Sequence, residues 1–168
     1  MAIAKQFVDA FERVRDAVHP AVQGLTVEQL SVRLDPDANS IAWLVWHLTR
    51  VQDDHVSAMS GAEQAWTAED WVARFGLPFD RDATGYGHGP EEVGALRATA
   101  ELLTGYYDAV HARTIGFVGG LGDTAFDEVV DRSWDPPVTL GVRLVSVIAD
   151  DLQHAGQAAF VRGVIERA

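Results

Sequence analysis

The segment VSVIADDLQHAGQAAFVRG, residues 145–163, is mostly apolar but carries two aspartates, a glutamine and a histidine. Apolar residues on both sides of these groups predict a buried helix, and carboxylates or imidazoles inside one are costly unless something pairs with them. Asp150 and His154 are four apart, so they share a helix face one turn apart. The inward stripe runs through Leu144, Val147, His154, Ala158, Val161 and Ile165. Asp150 lies about 40° from His154 around the helix and Asp151 about 60° on the other side. Spacing alone does not choose between the two carboxylates.

A second segment, NSIAWLVWHLTRVQDDHV at residues 39–56, matches the first. His47 sits between Trp46 and Leu48 and shares a face with Leu44 and Val51. Asp54 falls nearly on its line, two turns on, and His55 lies about 80° off it. Two more helical patterns complete the set. One covers about 3–18, with Ile3, Phe7, Phe11, Val14 and Val18 on one face and Pro20 beyond it. The other starts at Pro90, with Glu91 and Glu92 in its first turn, and turns Val93, Leu96, Ala100, Leu103, Tyr107 and Val110 inward before Gly119-Gly120. The His47 helix is expected from Asn39 or Ser40 to about Met59, ahead of Gly61; the final helix is expected from near Thr139 almost to the end. TAEDWVARFG, residues 67–76, reads as a short helix capped by Thr67 and stopped by Gly76. GYGHGP (85–90) reads as a loop, and TAFDEVVDRSW (124–134) as extended, in a small hairpin or against the bundle. The expected fold class is all-α: one domain over 1–168, a four-helix bundle with long connectors that is not a plain up-down-up-down array.

Composition narrows the function. With 25 acidic against 13 basic residues, the net charge of -12 argues against nucleic acid and anionic membranes, both of which need a cationic surface. The longest apolar run, Ile41 to Trp46, is too short to cross a bilayer, and Asp9 and Glu12 interrupt any leader-like run, so a soluble cytoplasmic protein is expected. There is no cysteine, so thiol chemistry here needs a thiol carried by a small molecule.

Facing helices of a bundle build metal sites from inward carboxylates and histidines. Two imidazoles and a carboxylate suit a divalent first-row metal. Asp150 and His154 are therefore expected to meet His47 around such an ion. Taken singly these residues carry plainer readings: a histidine on a helix seam is more often a hydrogen-bonded core residue, and Asp53-Asp54 and Asp150-Asp151 read equally as solvated charge. The tryptophans 43, 46, 66, 71 and 134 read as core or loop anchors. His19, His88 and His111 read as surface residues, with His88 alone kept as a pocket candidate.

Together, the Trp-x-x-x-His element at 43–47, the His-x-Gly-Gln element at 154–157 and the closing Arg-Gly resemble the DinB-like superfamily, in particular its mycothiol-transferase branch. The resemblance covers nearly the whole chain. It implies a four-helix bundle with a metal centre near one end, whose ligands fall on His47, Asp150 and His154; it thus favours Asp150 over Asp151. Asp150 stands where members more often carry His or Glu, and Asp is one methylene shorter than Glu. The implied activity is metal-dependent transfer of a low-molecular-weight thiol, mycothiol, to an electrophilic small molecule, with Zn, Ni, Fe or Mn as the divalent ion. A homodimer is also implied, although no clean exposed apolar stripe stands out to mediate it. The alternatives are a bundle that binds a metal or small molecule without turnover, and a metal-dependent hydrolase with Asp54, Asp151 or His55 as base.

Overall fold

Two hydroxyl caps start the helices that carry the candidate site. In the computed structural model, which describes residues 2–167, Ser40 accepts a hydrogen bond from the Trp43 amide and begins a helix over Ile41–Ser60; Gly61, at φ 69°, ends it in the left-handed conformation. Thr139 caps Leu140–Ile165 in the same way, through the Val142 amide. In chain order the helices are α1 (Ala2–Val22), α2 (Val27–Leu30), α3 (Ile41–Ser60), α4 (Ala65–Ala68), α5 (Trp71–Phe75), α6 (Pro90–Ala95), α7 (Ala100–Gly119) and α8 (Leu140–Ile165). A 3-10 turn at Asp123–Asp127 and an antiparallel hairpin, β1 (Val129–Asp131) with β2 (Val138–Thr139), fill the link between α7 and α8.

The four long helices form an all-α bundle. α8 packs against α3 and α1, and α7 packs against the same two from the other side, so chain neighbours α7 and α8 lie diagonally. Contacts set the directions. His19 of α1 meets Asp108 and Glu12 meets His111, so α1 and α7 are antiparallel; Arg162 reaches Pro20, while Phe7 shares a cleft with Val145, so α1 and α8 are parallel. α3 runs opposite to α8. The order is thus up-down-down-up, which requires the long connectors. No helix among the described residues is long and apolar enough to cross a membrane.

Three boundaries differ from the periodicity reading. α1 continues through Pro20, because Ala21 and Val22 gain full burial there; Gly24, at φ 78°, then turns the chain. The helix expected from Pro90 breaks at 96–99, where Thr99 caps a new helix through the Leu102 amide. Leu96 and Ala98 are buried in that break, so burial was preserved without a helix, and apolar spacing alone could not reveal the gap. The 67–76 helix is likewise two short ones, split at Asp70 (φ 59°), and Thr67 lies inside the first rather than capping it.

Asp53, which reads as solvated charge in the sequence, is in the core, 2% exposed, beside a fully buried Arg50. Asp53 accepts from the amides of Ala65 and Trp66 and from the Tyr106 hydroxyl, at 2.8 to 2.9 Å. Arg50 donates to the Ala83 carbonyl and to Gln64 Oε1, and packs over the Trp66 ring. Together they bolt both ends of the 64–83 connector onto α3. His111, read as a surface residue, is also buried, between Tyr107 and Glu12. Conversely Trp134 is 66% exposed and anchors nothing in the core. The outward face of α8 exposes Val142, Val145, Leu152 and Phe160, an apolar stripe that did not stand out in the sequence.

Removing one member of a buried ion pair strands the other. Asp53→Ala is expected to destabilise the fold by about 3 to 5 kcal/mol in chemical denaturation. A loss below about 1 kcal/mol would show that the network is not a structural bolt.

Candidate metal centre

Trp43 and His47, one turn apart near the start of α3, stack with ring centroids 4.6 Å apart. The His47 and His154 ring centroids are 4.8 Å apart across the α3–α8 seam. Asp150, one turn before His154, completes the group: one ligand atom from each of His47, Asp150 and His154 lies within 4.8 Å of the others. Bonds of about 2.0 to 2.2 Å at tetrahedral angles place donors about 3.4 Å apart. Small side-chain rotations therefore close this group around an ion.

Each member is held differently. His47 is 7% exposed, and its Nδ1–H donates to the Thr84 carbonyl at 2.5 Å. A carbonyl only accepts, so the proton sits on Nδ1 and leaves the Nε2 lone pair available; this is the usual second partner of a metal-ligating histidine. Burial, with the neighbouring His154 adding to it, holds His47 below the ordinary histidine pKa. It therefore stays neutral, and able to ligate, further into acid than an exposed histidine. His154 and Asp150 are only partly buried, with side chains 19% and 35% exposed, and their closest approach is 3.8 Å. Asp150 Oδ2 and His154 Nδ1 are buried atoms without a hydrogen-bond partner in the protein. Unpaired atoms with lone pairs on α8, set against a neutral imidazole from α3, are what a cation would satisfy, so the residues fit the ion that the resemblance implies.

The connector that Asp53 and Arg50 bolt down forms the lid over His47. Thr84 follows Ala83, the residue whose carbonyl Arg50 holds. Gly85 then passes so close that a Cβ would stand 2.7 Å from His47 Nδ1 and 3.1 Å from the Trp43 and Trp46 rings, at φ 94°. Beyond it His88 accepts from the Trp43 indole N–H at 3.2 Å and stacks near Trp46. His88 thus belongs to the wall of the site. Thr84, Gly85 and Arg50 carry no motif a sequence reading could catch, since they act through backbone or across the connector.

Other sequence candidates lie elsewhere. Asp151 points into the core, fully buried, toward Tyr107. Burial first, and the adjacent Asp150 charge second, push its pKa well above the usual carboxylate range. Asp54 accepts from Gln64, and His55 lies farther along the seam beside Arg143. Gln157 lines a neighbouring cleft, while Arg162 caps α1 through the carbonyls of Pro20 and Gln23.

Fold and site together define a DinB-like helical bundle with a two-histidine, one-carboxylate cluster between opposed helices. Residues 6–167 match the family model for mycothiol S-transferase, and the chain belongs to that family. Among solved structures, it is similar to a conserved protein of Enterococcus faecalis, with a TM-score of 0.90 and 28% identity over 98% of this chain and 97% of that one. No curated protein matches it.

Two expectations follow. Gly85→Ala should displace the Thr84 carbonyl and lower zinc affinity about 10- to 100-fold, by equilibrium dialysis, with helicity retained. Unchanged affinity would mean that the lid does not orient His47. Asp151 titrates high in the folded state, so its protonated form supplies stability that is full below the unfolded value and is lost as pH rises toward the folded one. Asp151→Asn should therefore stabilise the protein at neutral pH, by about 1.4 kcal/mol per unit of raised pKa, and leave it unaltered in acid. Equal stability of the two proteins across pH would contradict this.

Proposed function

We propose that this protein joins a low-molecular-weight thiol, mycothiol, to an electrophilic small molecule, with a divalent ion held by His47, Asp150 and His154. The observation that carries the reading is the convergence of these three side chains from two opposed helices, in a chain of the mycothiol S-transferase family. An ion at this position supplies the positive charge that keeps a thiol ionised at neutral pH. The chain has no cysteine of its own, so the sulfur arrives with the co-substrate.

The protein's own residues would position and shield. His47, fixed through Thr84, presents a neutral imidazole. Trp43, stacked on His47, and Trp46, stacked on His88, would shield the lid side from water. One turn from His47 in the other direction, a cleft of about 380 Å³ is lined by Leu44, Gly156, Phe160 and Val161. Its apolar walls suit the uncharged body of an electrophile. The sulfur–carbon bond would form between this cleft and the cluster, with the thiol proton lost to solvent. The bond broken at the electrophilic carbon releases its electron pair to a leaving group or, where a double bond or strained ring is opened, to an atom that takes a proton from solvent.

A second reading, binding without turnover, draws on Asp150. Its side chain is one methylene shorter than the Glu that the resemblance leads one to expect among the ligands.

The test compares the wild type with a His47→Ala, His154→Ala double variant, by elemental analysis and by thiol transfer to a chromogenic electrophile. The expected result is bound metal and metal-dependent acceleration in the wild type, with both reduced at least tenfold in the variant. Equal metal content in the two proteins would remove the site. Metal without acceleration, across Zn, Ni, Fe and Mn and several electrophiles, would leave the binding reading.

A further inference from the structure

Past the cluster, the α3–α8 seam opens toward the hairpin into a cleft of about 390 Å³ lined by His55, Ala58, Met59, Val130, Asp131 and Arg143. Ala58 and Arg143 fall within about 20° of the helix lines that carry His47 and His154, so cleft and cluster share one seam. By helical rise, His55 is about 12 Å from His47 and Arg143 about 16 Å from His154. A group bound here is out of reach of the reacting atoms but within reach of the far end of an extended co-substrate.

The lining chemistry is specific. Arg143 donates to Asp131 Oδ2 at 2.6 Å, with both side chains partly buried. Asp131 Oδ1 is held by the Ser133 amide and hydroxyl. The guanidinium charge is already matched, and the chain's net charge is -12, so an anionic tail gains little here. What the cleft retains is hydrogen-bonding capacity: further guanidinium N–H groups, carboxylate lone pairs, and the His55 imidazole, which burial and the nearby Arg143 charge keep neutral and thus both donor and acceptor. Ala58, Met59 and Val130 add apolar surface beside these groups. Fixed donors and acceptors over an apolar floor match a ring that carries hydroxyls on its edge and C–H groups on its face.

We propose that the His55–Asp131–Arg143 cleft binds the polyol end of the thiol co-substrate. This rests on the thiol-transfer reading for what reaches the cluster, and it adds where the rest of that molecule sits. The cleft then selects a glycosylated thiol over a bare one, while the cluster handles only the sulfur.

The experiment is calorimetric titration of the zinc-loaded protein with mycothiol and, separately, with cysteine, in the wild type, His55→Ala and Asp131→Asn. Mycothiol should bind more tightly than cysteine to the wild type. Each variant should lower the ratio of the two affinities about tenfold, with metal content and circular dichroism unchanged. His55→Ala leaves the Asp131–Arg143 pair intact, so it reports on the cleft even if Asp131→Asn disturbs the hairpin. Wild-type ratios in the two folded variants, or equal affinity of the wild type for both thiols, would overturn the proposal. Selective binding that the variants lose, in a protein with no turnover, would uphold the cleft while removing the transfer reaction. Turnover in which the variants keep the wild-type KM for mycothiol would remove the cleft alone.

Discussion

A buried carboxylate facing backbone amides organises this molecule. Asp53 takes the amides of Ala65 and Trp66, and Arg50, one turn earlier, takes the Ala83 carbonyl. The two side chains, 3.8 Å apart, compensate each other's charge in a place where neither could be left alone. Such a pair contributes little net stability over a well-packed apolar substitute. What it fixes is position: a connector that would otherwise drift is tied to α3 at both ends. The carbonyl over His47 comes one residue after the second tie, so the orientation of that imidazole descends from an ion pair outside the cluster.

Much of the architecture was legible along the chain. The Ser40 and Thr139 caps, the Gly61 stop and the inward stripes of the long helices are local signals, and local physics was enough to read them. The pairing of Asp150 with His154 was visible for the same reason, since a four-residue interval on a helix has one geometry. Spacing alone left Asp150 and Asp151 open, and only the resemblance favoured Asp150; the bundle turns Asp150 toward α3 and Asp151 toward Tyr107. Asp53 was misread because its partners lie 12, 13 and 53 residues away, and nothing in a run of adjacent aspartates distinguishes one that is buried. The break at 96–99 was hidden because Leu96 and Ala98 remain buried through it.

The seam between α3 and α8 is chemically graded. Apolar side chains line one end, unpaired nitrogen and oxygen ligand atoms gather in the middle, and a matched Asp–Arg pair with a neutral imidazole lies at the other. Antiparallel packing makes this possible, because each step along one helix is answered by a step back along the other. Membership of the mycothiol S-transferase family and the cluster geometry are separate facts. The first rests on residues 6–167 as a whole, the second on three side chains, of which Asp150 is one.

The lid has one more property. Tyr86 is 94% exposed and stands between Gly85 and Gly87, both with positive φ, while Thr84 and His88 on either side are tied to His47 and Trp43. Its side chain touches little that the fold needs, so exchanging it should leave stability within about 0.5 kcal/mol. Yet it projects from the loop that covers the cluster. Selection can therefore edit the mouth of the site at this position independently of the scaffold beneath, a route by which kindred bundles could diverge in what they admit.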